Sequence, residues 1–222
     1  MKRYIKSVVA DPLHEDYEAK WELAQTSNNA RLLDRLANSS GEQIVYQVLK
    51  NPNTAPETLK RFVDINPQSY AYDRDKAELA MENLNMPVEV LQNVSRYPHL
   101  LNSIAINPNT PRSTLEKLIQ IGKANNDLDL LGIIAINPNV PEQYLLEVAN
   151  GNSIPDKCRL AKNPNISHEI QEYLYSLDDH WIEQNLADNP GVSEDILQKI
   201  LTYSRDSLTL HLAEMNLERR QR

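Results

Sequence analysis

Hydrophobic positions in this chain come in short paired bursts separated by polar stretches, not in long runs. Leu100, Leu101, Ile104 and Ala105 are followed, after a polar joint, by Leu115, Leu118 and Ile119. Leu130, Leu131, Ile134 and Ala135 are followed in the same way by Leu145, Val148 and Ala149. Apolar residues three, four, seven and eight apart form one stripe of an α-helix, so each burst predicts a short helix with one buried face. The double burst recurs with Val48 and Leu49 before Leu59 and Phe62, and with Leu160 and Ala161 before Ile170 and Leu174. It recurs again with Ile182, Leu186 and Ala187 before Ile196, Leu197, Ile200 and Leu201. Degenerate copies stand at Leu23–Leu36 and Ala77–Val94, and Leu208, Leu212 and Ala213 form an eighth first helix without a partner. The pattern predicts seven helix pairs plus one terminal capping helix, and no strand of consequence.

The polar joints are themselves repeated. Ala105-Ile106-Asn107-Pro108-Asn109-Thr110-Pro111 has close copies beginning at Leu49, Ala135, Ala161 and Ala187. An Asn before Pro is pushed out of the α region, so the preceding helix ends there. Pro108 suits the second position of a type I turn. Asn109 or Thr110 is then expected to cap the next helix, with Pro111 at its first position. Around Asn51 the spacing of Thr54 and Glu57 predicts a capping box. Taking Thr26, Asn51, Asn83, Asn107, Asn137, Asn163 and Asn189 as equivalent, the repeat steps run from 24 to 32 residues. That period fits two short helices per repeat, neither stable alone, whose stripes join into a continuous core on stacking. The two longest steps insert residues 66–73 and 122–127, both expected as extended loops.

The run Leu-Ala-x-Asn-Pro-Asn-Thr-Pro-x-x-x-Leu-x-x-Leu resembles the leucine-rich repeat variant, over roughly residues 20 to 217. The resemblance implies an all-α fold, a right-handed α-solenoid of about seven short helix-pair repeats, a HEAT-like superhelix with terminal capping helices. On this reading residues 1–222 form a single repeat domain, with 1–18 as an N-terminal leading or capping segment, 19–204 as repeats and 205–222 as a C-terminal capping helix. The best-known member of that family carries an iron–sulfur cluster on an N-terminal cysteine-rich segment. Here Cys158 is the sole cysteine, so that property does not carry over, and neither a disulfide framework nor a cysteine-based metal site is available within one chain.

Composition narrows the function classes. Five Gly and one Phe beside many Leu, Ile, Ala and Asn favour helices. A net charge of −8 and an isoelectric point near 5.2 argue against a sequence-independent binder of phosphate backbones. The basic start, Met1 to Ser7, leads into an apolar run that Asp11 cuts short, unlike a signal peptide. No run approaches membrane-spanning length. Cytoplasmic residence is the default expectation.

Candidate chemistry is sparse. The five His residues fall in no metal-ligand spacing such as His-x-x-x-His, and no phosphate loop, nucleophile elbow or catalytic carboxylate pair stands out. The chain is therefore expected not to be an enzyme and to need no cofactor or metal. Asn51, Asn107, Asn137, Asn163 and Asn189 would line up in stacked repeats. Their amides can grip a partner's backbone, or satisfy their own turn and the neighbouring repeat, which is what Asn does in turns and is the favoured reading.

Charge distribution is the one functional hint. From Ala124 to Asp195 there are thirteen acidic residues against three basic ones, with Asp178, Asp179 and Glu183 the densest group. An acidic surface attracts a basic partner or serves solubility. The expectation is a protein–protein interaction scaffold or adaptor that meets a partner, with a basic surface, at Asp178, Asp179 and Glu183. The alternative is a HEAT-like nucleic-acid-associated protein or DNA-repair enzyme, which needs a basic face not visible in the sequence.

Overall fold

A computed structural model describes residues 17–38 and 41–221. Among these residues all regular structure is helical, in fifteen helices, the number that seven pairs and a terminal helix require. Contacts divide the chain into two compact units, one ending at Pro87 and one beginning at Val88. The leading segment expected over residues 1–18 lies, as far as residue 16, outside the described residues. No described helix is long and apolar enough to cross a membrane.

The N-terminal unit holds α1 (Tyr17–Thr26), α2 (Ala30–Ala37), α3 (Glu42–Lys50), α4 (Pro56–Val63) and α5 (Arg74–Glu82). Helices α1, α3 and α5 pack in series, with α2 against α3 and α4 against α5. Leu33, Leu36, Val48, Leu49 and Leu59 are fully buried, as their spacing predicts. Each such side chain contributes roughly 1.5–3 kcal/mol relative to exposure. Residues 64–73 join α4 to α5 without helix, through turns closed by Ser69 N–H to Asn66 O and Tyr72 N–H to Ser69 O.

The C-terminal unit holds α6 (Val88–Leu91), α7 (Leu101–Ile106), α8 (Arg112–Asn125), α9 (Leu128–Ile134), α10 (Glu142–Asn150), α11 (Ile154–Leu160), α12 (His168–Ser176), α13 (His180–Asp188), α14 (Glu194–Tyr203) and α15 (Ser207–Arg220). The odd-numbered helices α7 to α15 pack each on the next, and α10, α12 and α14 form a second series. Leu115, Leu118, Leu130, Ile134, Leu160, Leu174, Leu186 and Leu197 line the core between them. Helices α9, α11, α12, α13 and α15 start on side-chain caps, from Asp127, Ser153, Ser167, Asp179 and Asp206 in turn. Each such cap satisfies an amide that the helix itself cannot.

Two local expectations are overturned. Thr54 and Thr110 do not cap the following helices; each is fully buried, and its hydroxyl donates back to a carbonyl of the preceding helix, Val48 O and Ile104 O. The N-caps are Ala55 and Pro111, with no side-chain bond, so the capping box at Thr54 and Glu57 is absent. A Thr at this place meets the core, and an inward hydroxyl needs an acceptor more than the next helix needs a cap. Second, residues 122–125 are the last turn of α8, not an extended loop. Lys123 and Ala124 favour helix. The helix stops at Asn126, which takes the left-handed conformation (φ 53°, ψ 38°) while Asp127 N–H bonds to Gly122 O.

Candidate functional site

The repeated asparagines are satisfied within the fold. Asn163 is fully buried; its Nδ2 donates to Ala135 O and Asn137 O, both at 2.8 Å, and its Oδ1 accepts from Asn165 N–H at 2.8 Å. Asn51, Asn83, Asn137 and Asn189 make the same clamp on the preceding repeat, and each Oδ1 takes the amide two residues on. With donors and acceptor engaged, these side chains have nothing left for a partner's backbone. A second, exposed row follows it: Asn139 Nδ2 donates to Pro108 O and Thr110 O, and Asn165 Nδ2 to Pro138 O.

The C-terminal end of this system was not visible as a motif. Asn216 sits inside α15 with no Pro after it, yet it donates to Ala187 O and Asn189 O at 2.9 and 2.7 Å. Arg220 supplies the rest of the joint. Its Nε donates to Asn216 Oδ1 at 3.1 Å, and its Nη2 to Pro190 O at 3.1 Å and to Val192 O. Where the second-row Asn is missing, Gly191 lets the backbone approach Pro164 so closely that a Cβ would lie 1.8 Å from its carbonyl oxygen.

The acidic group lies where α12 turns into α13. Asp178 adopts the left-handed region (φ 52°) and is exposed. Asp179 is the N-cap of α13, accepting from Trp181 N–H at 3.0 Å and Ile182 N–H at 3.1 Å, so part of its charge serves folding. Glu183 is half-buried, and its Oε1 has no hydrogen-bond partner. Burial, then the carboxylates of Glu183 and Asp178, push the Tyr175 phenol up. Burial and the Asp179 carboxylate likewise push the Cys158 thiol up. None of the three acids forms an ion pair among the described residues.

Other acids of the stretch are neutralised by residues that folding brings in from its flanks. Lys123 pairs with Glu147 at 2.7 Å, and Lys199 reaches Glu172 and Asp195. Arg159, from within, bridges Asp156 and Asp129 at 3.0 and 3.8 Å. The patch that remains is thus narrower than the sequence count implies.

One three-residue group among the described residues has metal-ligand geometry. His168 Nε2 lies 3.6 Å from Glu172 Oε1 and 3.7 Å from Asp195 Oδ2, with Ser193 Oγ 3.2 Å from His168 Nδ1. The carboxylates already have a cation in the Lys199 ammonium. A hydrogen bond from Ser193, with His168 and Lys199 nearby, holds the Asp195 carboxyl low, and the Glu172 hydrogen bond holds Lys199 high. The group reads as an exposed ion network clipping α12 to α14, weakened by solvent as surface pairs are. The i, i+4 spacings His168–Glu172 and Asp195–Lys199 were its sequence signal.

Two clefts of about 330 Å³ each flank α10. One is lined by Arg112, Glu116, Ile119 and Gln143, the other by Leu128, Leu131, Val148 and Asp156. Between them stand the Lys123–Glu147 pair and Tyr144, whose hydroxyl donates to Leu131 O at 2.8 Å. Searches for related proteins among family models, curated proteins and solved structures found no match.

Proposed function

We propose that this chain is a non-enzymatic scaffold or adaptor, a right-handed α-solenoid of the leucine-rich repeat variant kind, that binds another protein through the acidic side of its C-terminal unit. The observation that supports it most is a contrast between two repeated polar features. The asparagine clamps are consumed by backbone, whereas Asp178, Asp179 and Glu183 lie free of ion pairs beside exposed apolar side chains. Stacked repeats offer extended surfaces to partners, and unpaired acids steer a basic one to such a surface.

The test is the triple replacement Asp178→Asn, Asp179→Asn, Glu183→Gln. Asn is as good an N-cap as Asp, so folding is retained at position 179. The association rate for a basic partner obtained by pull-down falls several-fold at low salt, and the difference shrinks as salt rises toward about 0.5 M. An unchanged rate at low salt would remove the acids from recognition. A salt-sensitive mobility shift of duplex DNA would support the nucleic-acid alternative instead.

A further inference from the structure

The asparagine clamps fix more than the joints they close. Asn163, Asn189 and Asn216 each tie their own helix or the joint after it to the end of the preceding one, so α9, α11, α13 and α15 share one register at the clamp positions. Counting nine residues back from Asn137, Asn163, Asn189 and Asn216 reaches Leu128, Ile154, His180 and Ser207, the first residue of each helix. The four helix starts therefore lie along one edge. At each start, the first or second residue is a large apolar side chain held in water: Leu128 is 63% exposed, Ile154 41%, Trp181 62% and Leu208 51%. Single exposed apolar residues are ordinary, but one recurring at the start of each of four successively packed helices is a regular feature of the kind that marks interaction sites.

Acids interleave with the row. Asp127, Asp129, Asp156, Asp178, Asp179 and Asp206 stand within two residues or one connecting turn of it. Against them the helix starts and their caps offer Lys157, buried with its ammonium on the Tyr173 hydroxyl, Arg159, already shared by Asp129 and Asp156, and Arg205. The cleft of about 330 Å³ opens beside Leu128, with apolar walls from Leu131 and Val148 and a charged rim from Asp156 and the Lys123–Glu147 pair.

We propose that this edge docks a basic amphipathic helix of another protein, its apolar residues spaced by seven and seated on Leu128, Ile154, Trp181 and Leu208. The proposal rests on the reading of the chain as a protein-binding scaffold and names the partner's chemistry. Helices packed side by side stand about 8–10 Å apart. Seven residues of an α-helix rise about 10.5 Å, so a heptad-spaced stripe meets one row residue per step. A helix satisfies its own backbone, so the edge need supply no hydrogen bonds to hold it. Lys or Arg beside the stripe meets the interleaved carboxylates, and Trp181 provides the aromatic anchor such interfaces favour.

The experiment uses the full chain carrying Trp21→Phe, which leaves Trp181 as the single indole. The probe is a synthetic peptide of about 22 residues with Leu at every seventh position and Lys and Ala elsewhere. A second peptide has the same composition with Leu moved off that period. Binding of the periodic peptide shifts Trp181 emission to the blue and shields it from acrylamide, and the shuffled peptide binds at least about tenfold more weakly. Ile154→Ser weakens the periodic peptide by a similar factor, while its urea midpoint stays that of the parent. Equal binding of both peptides, or no effect of Ile154→Ser, overturns the row while leaving the acidic scaffold reading intact if the Asn, Asn, Gln variant still weakens binding. Failure of the periodic peptide to bind overturns the row, and failure of both peptides overturns the basic-partner reading as well.

Discussion

Replacing Asn163 by Ala removes three hydrogen bonds at once, two buried ones donated to Ala135 O and Asn137 O and a part-buried one accepted from Asn165 N–H. Each is worth about 0.5–1.5 kcal/mol net, and a buried group left without a partner costs about 1–3 kcal/mol more. The Asn137 carbonyl keeps a 3.3 Å bond from Val140 N–H, so it is not orphaned. The expected loss is therefore about 3–5 kcal/mol, a large share of the roughly 5–15 kcal/mol that a domain has. Asn165→Ala, two residues away, removes one exposed bond to Pro138 O and should cost about 1 kcal/mol or less. Asn163→Asp should exceed the Ala variant at neutral pH, because a carboxylate then faces two carbonyl oxygens. That acid's native pKa would be raised, so its deficit narrows as pH falls through the raised value. Urea unfolding followed by Trp181 emission in the Trp21→Phe background gives all three values. If Asn163→Ala costs no more than Asn165→Ala, the clamp does not hold the repeats together.

Leu115→Asp, at a fully buried site, should cost several kcal/mol and prevent cooperative unfolding of the C-terminal unit, whereas Pro108→Ala should cost about 1 kcal/mol or less; comparable small shifts in melting temperature would misplace the core. Arg220→Ala should free the end of α15, seen as faster amide exchange there. Arg220→Lys should recover little, because one ammonium cannot reach Asn216, Pro190 and Val192 together; full recovery would contradict the bridging geometry. Two hydrogen bonds from Thr209 hold the Asp206 carboxyl below the ordinary range, so its contribution is complete above the unfolded pKa and fades as pH falls through the lowered native one. Amide exchange in α15 should accelerate in that acid window and lose this dependence in Asp206→Asn.

The helices and their buried stripes were legible because a period of 3.6 residues leaves its mark in the sequence, and the Asn-Pro joints told where the first helix of five pairs stops. What escaped was set by direction and by distance along the chain. Thr54 and Thr110 look alike as caps or as inward donors until burial decides. Asn216 is hidden because its helix continues through the joint and the following Pro is absent. Counting acids from 124 to 195 missed Lys123 and Lys199, which are outside the stretch in sequence and inside it in space. The apolar row at Leu128, Ile154, Trp181 and Leu208 was also out of reach, since its members differ in type and align only when counted back from the clamps.

Each clamp addresses carbonyl oxygens, and every amino acid has one. A repeat therefore recognises its predecessor without reading any of its side chains, and the joint works the same whether the neighbour ends in Ile134-Ala135 or Leu160-Ala161. Copying, deleting or exchanging a whole repeat leaves the connection chemically unchanged, much as a coupling of standard gauge accepts any carriage. The outward residues of each repeat are then at liberty to diverge, so a lineage can rewrite what such a protein meets while the way it holds itself together stays fixed.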